Sequence, residues 1–156
     1  MNQELRELYQ EVIIDHGRRP RNFKVLEGHT HSQTGYNPLC GDRLQLFLQI
    51  RPGPRPVIEE ASFQGEGCAI SMASASLLTE CLKGKTPAEA KALFQQFHQL
   101  LTGDDASTRE GLGKLQVLAG VRAFPTRIKC ATLAWHALLG ALDQGETKPD
   151  DPVSTE

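Results

Sequence analysis

The sequence predicts an α+β domain in which a small antiparallel sheet packs against helices on one side. The chain has 156 residues, 39% of them apolar, which suits one domain with its own core. Two segments of alternating apolar residues flank Pro52-Gly53-Pro54, as in a β-hairpin. The segments after residue 67 instead carry apolar residues at helical spacing. Two or three strands followed by helices, without regular alternation, favour α+β.

The first predicted element is a helix over residues 2–16, which Gly17 should end. Its apolar residues recur at helical spacing, namely Leu5, Leu8, Tyr9 and Val12. Residues 17–39 are rich in Gly, Pro, His and Asn, so they are predicted to form a long, partly extended connector.

The hairpin comes next. Its first strand is predicted from alternation at Leu44, Leu46, Leu48 and Ile50. The second strand runs from Val57 to Gln64, and Gly65-Glu66-Gly67 closes it.

Three helices are predicted in the remainder of the chain. The first runs from Cys68 to Gly84, and the second begins with Thr86 as N-cap and Pro87 in its first turn, and ends at Gly103. The last helix follows Pro125. Between the second and third, residues 111–120 are expected to form a short helix or a structured loop.

Composition limits the classes of function. A net charge of -2 gives no reason to expect nucleic acid as a partner. No run of about 18 apolar residues and no signal segment is present, so we expect a soluble, cytoplasmic protein without a membrane partner. Residues 1–142 are predicted to be the domain, and residues 143–156 a disordered acidic tail.

Three cysteines and one aspartate are the candidate site residues, namely Cys40, Asp42, Cys68 and Cys130. Three thiolates and a carboxylate would complete a tetrahedral zinc site or bind part of an iron–sulfur cluster. The four residues are spread over three segments, so their spacing alone leaves both metal binding and separate roles open. Cys68 and Cys130 are expected near helix starts, where the helix dipole favours the thiolate.

Two further features would belong to such a site. Asp42 would be the weakest ligand of zinc, because oxygen is harder than sulfur. The site would carry a formal charge of about -2, so basic neighbours are expected to balance it or to bind a partner: Arg43, Arg127 and Lys129. A second basic cluster, between His16 and Lys24, is either a solvated face or a docking surface.

Other reactive residues receive structural interpretations. Cys81 lies on the apolar side of a predicted helix and is expected to be a small core residue. Ser71, Ser74 and Ser76 lack a nucleophile-elbow pattern, so they indicate close helix packing.

Most of the chain resembles the NifU N-terminal/IscU family of iron–sulfur cluster assembly proteins. The resemblance rests on Cys40-Gly41-Asp42, on residues 67–76, on Lys129-Cys130, and on residues 9–22. Within the family, the SufU branch is indicated, because Lys129 stands where IscU proteins have histidine and residues 103–124 are extra. The resemblance implies a SufE/NifU-like sandwich fold.

The resemblance also implies a function. Cys40, Asp42, Cys68 and Cys130 would be the zinc ligands, and Cys40 would be the catalytic residue that accepts persulfide sulfur. The expected partners are a SufS-type cysteine desulfurase and a downstream cluster-assembly scaffold. The chain would then act as a sulfurtransferase-like relay. The alternative is an IscU-type scaffold that assembles a [2Fe-2S] cluster on the same residues.

Overall fold

The computed structural model describes residues 3–39, 41–103, 112–143 and 153–154. Its helices are α1 (Gln3–Arg18), α2 (Ala69–Leu82), α3 (Pro87–Thr102) and α4 (Pro125–Asp143), and its strands are β1 (His31–Asn37), β2 (Asp42–Arg51), β3 (Val57–Glu66) and β4 (Val153–Ser154). A 3₁₀ segment (Gly113–Ala123) lies between α3 and α4. This architecture confirms the predicted α+β class.

The four strands form one sheet in the order β3-β2-β1-β4. β1, β2 and β3 are antiparallel, and only the two-residue β4 runs parallel to its neighbour. In β2 the inward residues are fully or almost fully buried, namely Asp42, Leu44, Leu46, Leu48 and Ile50. Because side chains alternate along a strand, Asp42 shares the face of the sheet that carries the core.

The helices cover that face. α2 packs against both α1 and α4, and α4 also lies against β1. The serines of α2 are buried as predicted for close packing, and Ser74 donates a hydrogen bond to the carbonyl of Ala131 in α4. The Nε1–H of Trp135 donates in turn to Ser74 Oγ, at 3.2 Å. Two helices held this closely fix the positions of Cys68 and Cys130 relative to each other.

The second predicted helix of the C-terminal half is confirmed together with its cap. Glu89 N–H donates to Thr86 Oγ1 at 3.1 Å, and Thr86 N–H donates to Glu89 Oε1 at 3.0 Å. This reciprocal pair is a capping box, and Pro87 occupies the first turn. Gly103 ends α3 as expected.

Two expectations were wrong in extent. α1 continues through Gly17 to Arg18, and the predicted connector contains the whole of β1. β1 is polar, so it shows no apolar alternation; its strand conformation depends instead on pairing along all seven residues with β2. Its inward residues include Gln33 and Asn37, both buried.

The domain boundaries remain predictions. Of the predicted tail, the structure describes Asp143, the last residue of α4, and β4, whose residues pair with Gly35 and Tyr36. Residues 144–152 and 155–156 lie outside the described residues. In the described part of the chain, the helices are too short or too polar to span a bilayer.

Candidate metal centre

Three of the four predicted ligands meet where three elements converge. Asp42 is the first residue of β2, Cys68 caps the N-terminus of α2, and Cys130 lies on α4. One ligand atom from each lies within 4.8 Å of the other two. Asp42 and Cys130 are buried and Cys68 is half-buried, so the cluster opens toward solvent on the Cys68 side.

The Asp42 carboxylate is fully buried and is held by the start of α2. The backbone N–H of Cys68 donates to Asp42 Oδ1 at 2.8 Å, and Cys68 Sγ lies 3.8 Å from Oδ2. A carboxylate at a helix N-terminus also benefits from the helix dipole. The N-cap residue of α2 therefore fixes the orientation of the one oxygen ligand.

Gly67 makes this arrangement possible. A Cβ atom at position 67 would lie 2.6 Å from Asp42 Oδ1 and 2.6 Å from Ser71 Oγ, closer than real Cβ contacts allow. Ser71 Oγ donates to the carbonyl of Cys68 at 3.1 Å and completes the first turn of α2. The residue before Cys68 must lack a side chain for the carboxylate to approach the helix.

Cys130 is fixed by β1 rather than by a helix terminus. Asn37 Nδ2 donates to Cys130 Sγ at 3.6 Å, and Cys130 Sγ also lies 3.8 Å from the carbonyl of Thr126. Asn37 is fully buried and pairs directly with Asp42 across the β1–β2 ladder. Cys130 is the sixth residue of α4, beyond the first turn, where the helix dipole has weakened. Cys68 therefore lies at a helix start as expected, and Cys130 does not.

Asn37, Gly67 and Ser71 were not predicted as parts of the site. Asn37 lies in the segment that was expected to be a connector, so its pairing with Asp42 could not be inferred. The two glycines that flank Glu66 were a usable signal, because glycine next to a cysteine indicates close approach of the backbone.

The donor set fits a zinc ion. Tetrahedral coordination with Zn–S of about 2.3 Å and Zn–O of about 2.0 Å requires ligand atoms roughly 3.5–3.8 Å apart, a modest contraction of the 4.8 Å cluster. Among the described residues, Asp42 forms no salt bridge although it is fully buried. A buried carboxylate beside two thiols, without a basic partner, is well suited to a divalent cation.

The three basic residues expected near the site differ in their position and in their exposure. Arg43 follows Asp42 in β2, so it faces the opposite side of the sheet and is exposed. Lys129 is half-buried, and Arg127 is exposed on α4, three residues before Cys130. Arg127 and Arg122 line an apolar cavity of about 660 Å³, which also includes Ile70, two residues after Cys68.

Cys40 lies outside the described residues. Its chain neighbours belong to the connection between Asn37 and Asp42, in which Gly41 N–H donates to the carbonyl of Asn37 at 2.8 Å. Gly41 has a φ of 72°, a backbone conformation that glycine adopts without strain. The connection therefore reverses the chain directly at the cluster.

Cys81 differs from the site cysteines. It packs against the core, and burial raises the pKa of its thiol, an effect that nearby Lys85 only partly offsets. Its packing agrees with its predicted structural role, and the raised pKa disfavours the thiolate, which is the nucleophilic form.

The N-terminal basic cluster is not one continuous surface. His16 is buried, and its Nδ1 lies 2.7 Å from Ser76 Oγ, which also accepts the N–H of Arg21 at 2.8 Å. Arg21 forms an ion pair with Asp15 at 2.6 Å. Ser76 Oγ contacts both residues, so these hydrogen bonds attach the end of α1 to α2.

The fold and the cluster together define a small α+β domain with a possible metal site of Asp42, Cys68 and Cys130. Residues 8–131 match the family described as the NifU-like N-terminal domain, so the chain belongs to this family.

Named relatives agree with this assignment. The chain is 42% identical over 137 residues to the zinc-dependent sulfurtransferase SufU of Bacillus subtilis (strain 168), covering 88% of this chain and 90% of the relative. It is 41% identical over 138 residues to the iron–sulfur cluster assembly scaffold protein IscU of Streptococcus pyogenes serotype M1, covering 88% and 84%.

A solved structure agrees in fold. The iron–sulfur cluster assembly scaffold protein described for the SUF system of Fervidobacterium islandicum AW-1 has a TM-score of 0.75 and 30% identity, covering 88% of this chain and 98% of that chain. The resemblance to the NifU/IscU family and its SufU branch is thereby confirmed.

Proposed function

We propose that this chain is a zinc-dependent sulfur acceptor in iron–sulfur cluster assembly, which takes persulfide sulfur from a SufS-type cysteine desulfurase and passes it toward a downstream scaffold. The observation that carries the proposal is the cluster of Asp42, Cys68 and Cys130, with its buried carboxylate. The similarity to a relative named as a zinc-dependent sulfurtransferase supports the same activity.

Cys40 is proposed as the fourth ligand and the sulfur acceptor. Cys40 precedes Asp42 by two residues. Consecutive Cα atoms are about 3.8 Å apart, so the backbone keeps the Cα atoms of Cys40 and Asp42 close together. In the sequence Cys40 falls between Asn37, the last residue of β1, and Asp42, the first residue of β2, whereas Cys68 caps a helix and Cys130 lies within one. Substituting Cys68 or Cys130 therefore disturbs a helix, which makes Cys40 the better candidate for the sulfur acceptor.

The chemistry needs few groups from this chain. A zinc ion, when bound, would keep its cysteine ligands deprotonated at neutral pH. The Cys40 thiolate attacks the outer sulfur of the persulfide on the desulfurase. The sulfur–sulfur bond of that persulfide breaks, a new one forms on Cys40, and the enzyme's cysteine leaves as a thiolate. This is thiol–disulfide exchange, so no further acid or base is required.

The desulfurase is proposed to dock at the apolar cavity beside the cluster. The cavity lies between α1, the 3₁₀ segment and α4, and Arg122 and Arg127 contribute its positive charge. Phe124 is 59% exposed on the same wall, a large apolar side chain that a partner could cover. Charge and apolar surface together are typical of a docking surface for an acidic partner.

A second candidate function is that of an IscU-type scaffold, on which a [2Fe-2S] cluster is assembled. The thiol-rich donor set and the 41% identity to a relative named as a scaffold favour it. Lys129, in place of the family histidine, argues for the relay instead, because a protonated lysine cannot act as a ligand.

Two measurements separate these functions. Protein purified without added metal is analysed for zinc, iron and acid-labile sulfide, and then its effect on the turnover of a SufS-type desulfurase is measured. The relay predicts about one zinc per chain and faster desulfurase turnover. Iron with sulfide and no stimulation would contradict the relay and favour the scaffold.

Cys81→Ala is the matched control. Cys81 is the cysteine outside the proposed ligand set, and it is expected to leave zinc content and stimulation unchanged. Asp42→Ala should lose zinc and stimulation together. Stimulation that survives the verified loss of zinc would contradict zinc dependence.

A further inference from the structure

β1 has an outer edge, which faces away from β2. All seven residues of β1 pair with β2 on the inner edge. On the outer edge, Gly35 pairs with Val153 and Tyr36 pairs with Ser154. β4 also lies beside α4, so it contacts both β1 and the helix that carries Cys130.

The sequence of β1 lacks the residues that usually protect an edge strand from pairing with other chains. His31–Asn37 contains no lysine, arginine, aspartate, glutamate or proline, the residues that normally protect an edge strand. The strand has no irregularity in its pairing with β2. Gly35 and Tyr36 belong to this regular strand, and an extended peptide can pair with the backbone N–H and C=O groups of such an edge.

The sequence of the C-terminal segment matches such a role. Residues 144–156 are otherwise polar, acidic, glycine or proline, and Val153 is their one aliphatic residue. Valine favours strands, and Pro152 immediately before it has no N–H to extend the ladder. Nine residues lie between Asp143 and Val153, and the ten steps from one to the other can span up to about 33–36 Å, which is ample for a return from the end of α4 to β1.

We propose that the outer edge of β1 is a strand-docking site and that its occupant is this chain's own C-terminal segment, residues 153–154. The docked segment shields the edge from other chains. Ser154 pairs with Tyr36, and Tyr36 directly precedes Asn37, the residue that contacts Cys130. The docked segment therefore occupies the edge next to the candidate metal centre. An extended peptide from another chain binds there only when this segment leaves.

Amide hydrogen exchange on the full-length chain tests the docking. Successive amides of a strand point to opposite edges, so at least one of the amides of Gly35, Tyr36 and Asn37 points toward β4. Val153→Pro removes the backbone N–H at that position and should accelerate exchange of such an amide about tenfold or more. Val153→Thr, which keeps the N–H and the strand preference, should exchange like the parent within about twofold.

A peptide with the sequence of residues 149–156, added at millimolar concentration, then tests the site itself. It should restore slow exchange to Val153→Pro, whereas the same peptide with proline at position 153 should not. Unchanged exchange in Val153→Pro would overturn the docking, as would uniform acceleration through β2 and β3. Failure of the peptide to restore protection would overturn the strand-docking site. None of these outcomes depends on zinc or on a desulfurase.

Discussion

Replacing Gly67 by alanine tests how the carboxylate ligand is positioned. The new Cβ would lie 2.6 Å from Asp42 Oδ1 and from Ser71 Oγ, while real Cβ contacts stay beyond 3.0 Å, so each oxygen must retreat by about 0.4 Å or more. Metal–ligand distances tolerate only about 0.2 Å. The displacement also weakens the 2.8 Å hydrogen bond from Cys68 N–H.

The expected magnitude follows from these contacts. Overpacking of this kind costs about 1–3 kcal/mol of stability, and disturbance of the groups that orient a ligand lowers metal affinity by about 10–100-fold. Gly67→Ala should therefore bind zinc about 10–100-fold more weakly than the parent. Competition with a chromophoric chelator measures the affinity, and urea unfolding of the zinc-free proteins measures the stability.

Gly120→Ala is the matched control for this substitution. A Cβ at position 120 meets no atom within 4 Å, so zinc affinity should not change and stability should stay within about 1 kcal/mol of the parent. If Gly67→Ala binds zinc within threefold of the parent, the close approach of Gly67 to Asp42 does not position the ligand and the reasoning is refuted.

Two further substitutions test other parts of the structure. Burial lowers the pKa of His16, as do Arg21 and Lys114, while Glu80 and Asp15 oppose them. A histidine with a lowered folded-state pKa contributes stability that is full above its unfolded pKa of about 6.5 and is lost as the pH falls below it. His16→Gln should flatten this loss in urea unfolding between pH 7 and 5; an unchanged slope would show that His16 does not couple to folding. The pKa of His136 is also lowered, and His136 is present in both proteins. The slope of stability against pH in His16→Gln is therefore compared with the slope in the parent. Arg127→Ala should retain zinc and reduce desulfurase stimulation at least about fivefold, measured by cysteine turnover, because an arginine at an interface commonly carries binding energy. Full stimulation at normal partner affinity would exclude Arg127 from the interface.

The elements that could be predicted from sequence are those with strong local signals. The β2–β3 hairpin follows from alternation around a Pro-Gly-Pro turn, and α3 follows from Thr86 as N-cap and Pro87 in the first turn. β1 could not be predicted because its buried residues are polar, and its conformation is specified by pairing with β2. Local propensity carries no information about such a partner.

The residues of the candidate site were likewise predicted only in part. Asp42, Cys68 and Cys130 were identified by residue type, and the structure brings them within 4.8 Å. Asn37 and Gly67 were missed, since their roles depend on the register between β1 and β2 and on the approach of β3 to α2. His16 was assigned to a basic surface although it is buried against Ser76, a contact between residues 60 apart in the chain. Contacts of this kind become visible only in the folded chain.

The central claim is that the cysteines of the site have unequal roles and that Cys40 receives the sulfur. Cys68 caps α2 and Cys130 is buried in α4, so Cys→Ala at either should lose zinc and stability. Cys40→Ala should abolish sulfur uptake even in protein that still folds.

Mass spectrometry tests this claim most directly. The parent is incubated with a SufS-type desulfurase and cysteine, the thiols are alkylated, and the peptide that has gained one sulfur is identified, with Cys81→Ala as the control that should label like the parent. We predict the added sulfur on Cys40 and none in Cys40→Ala. Sulfur found on Cys68, Cys130 or Cys81 but never on Cys40 would contradict it.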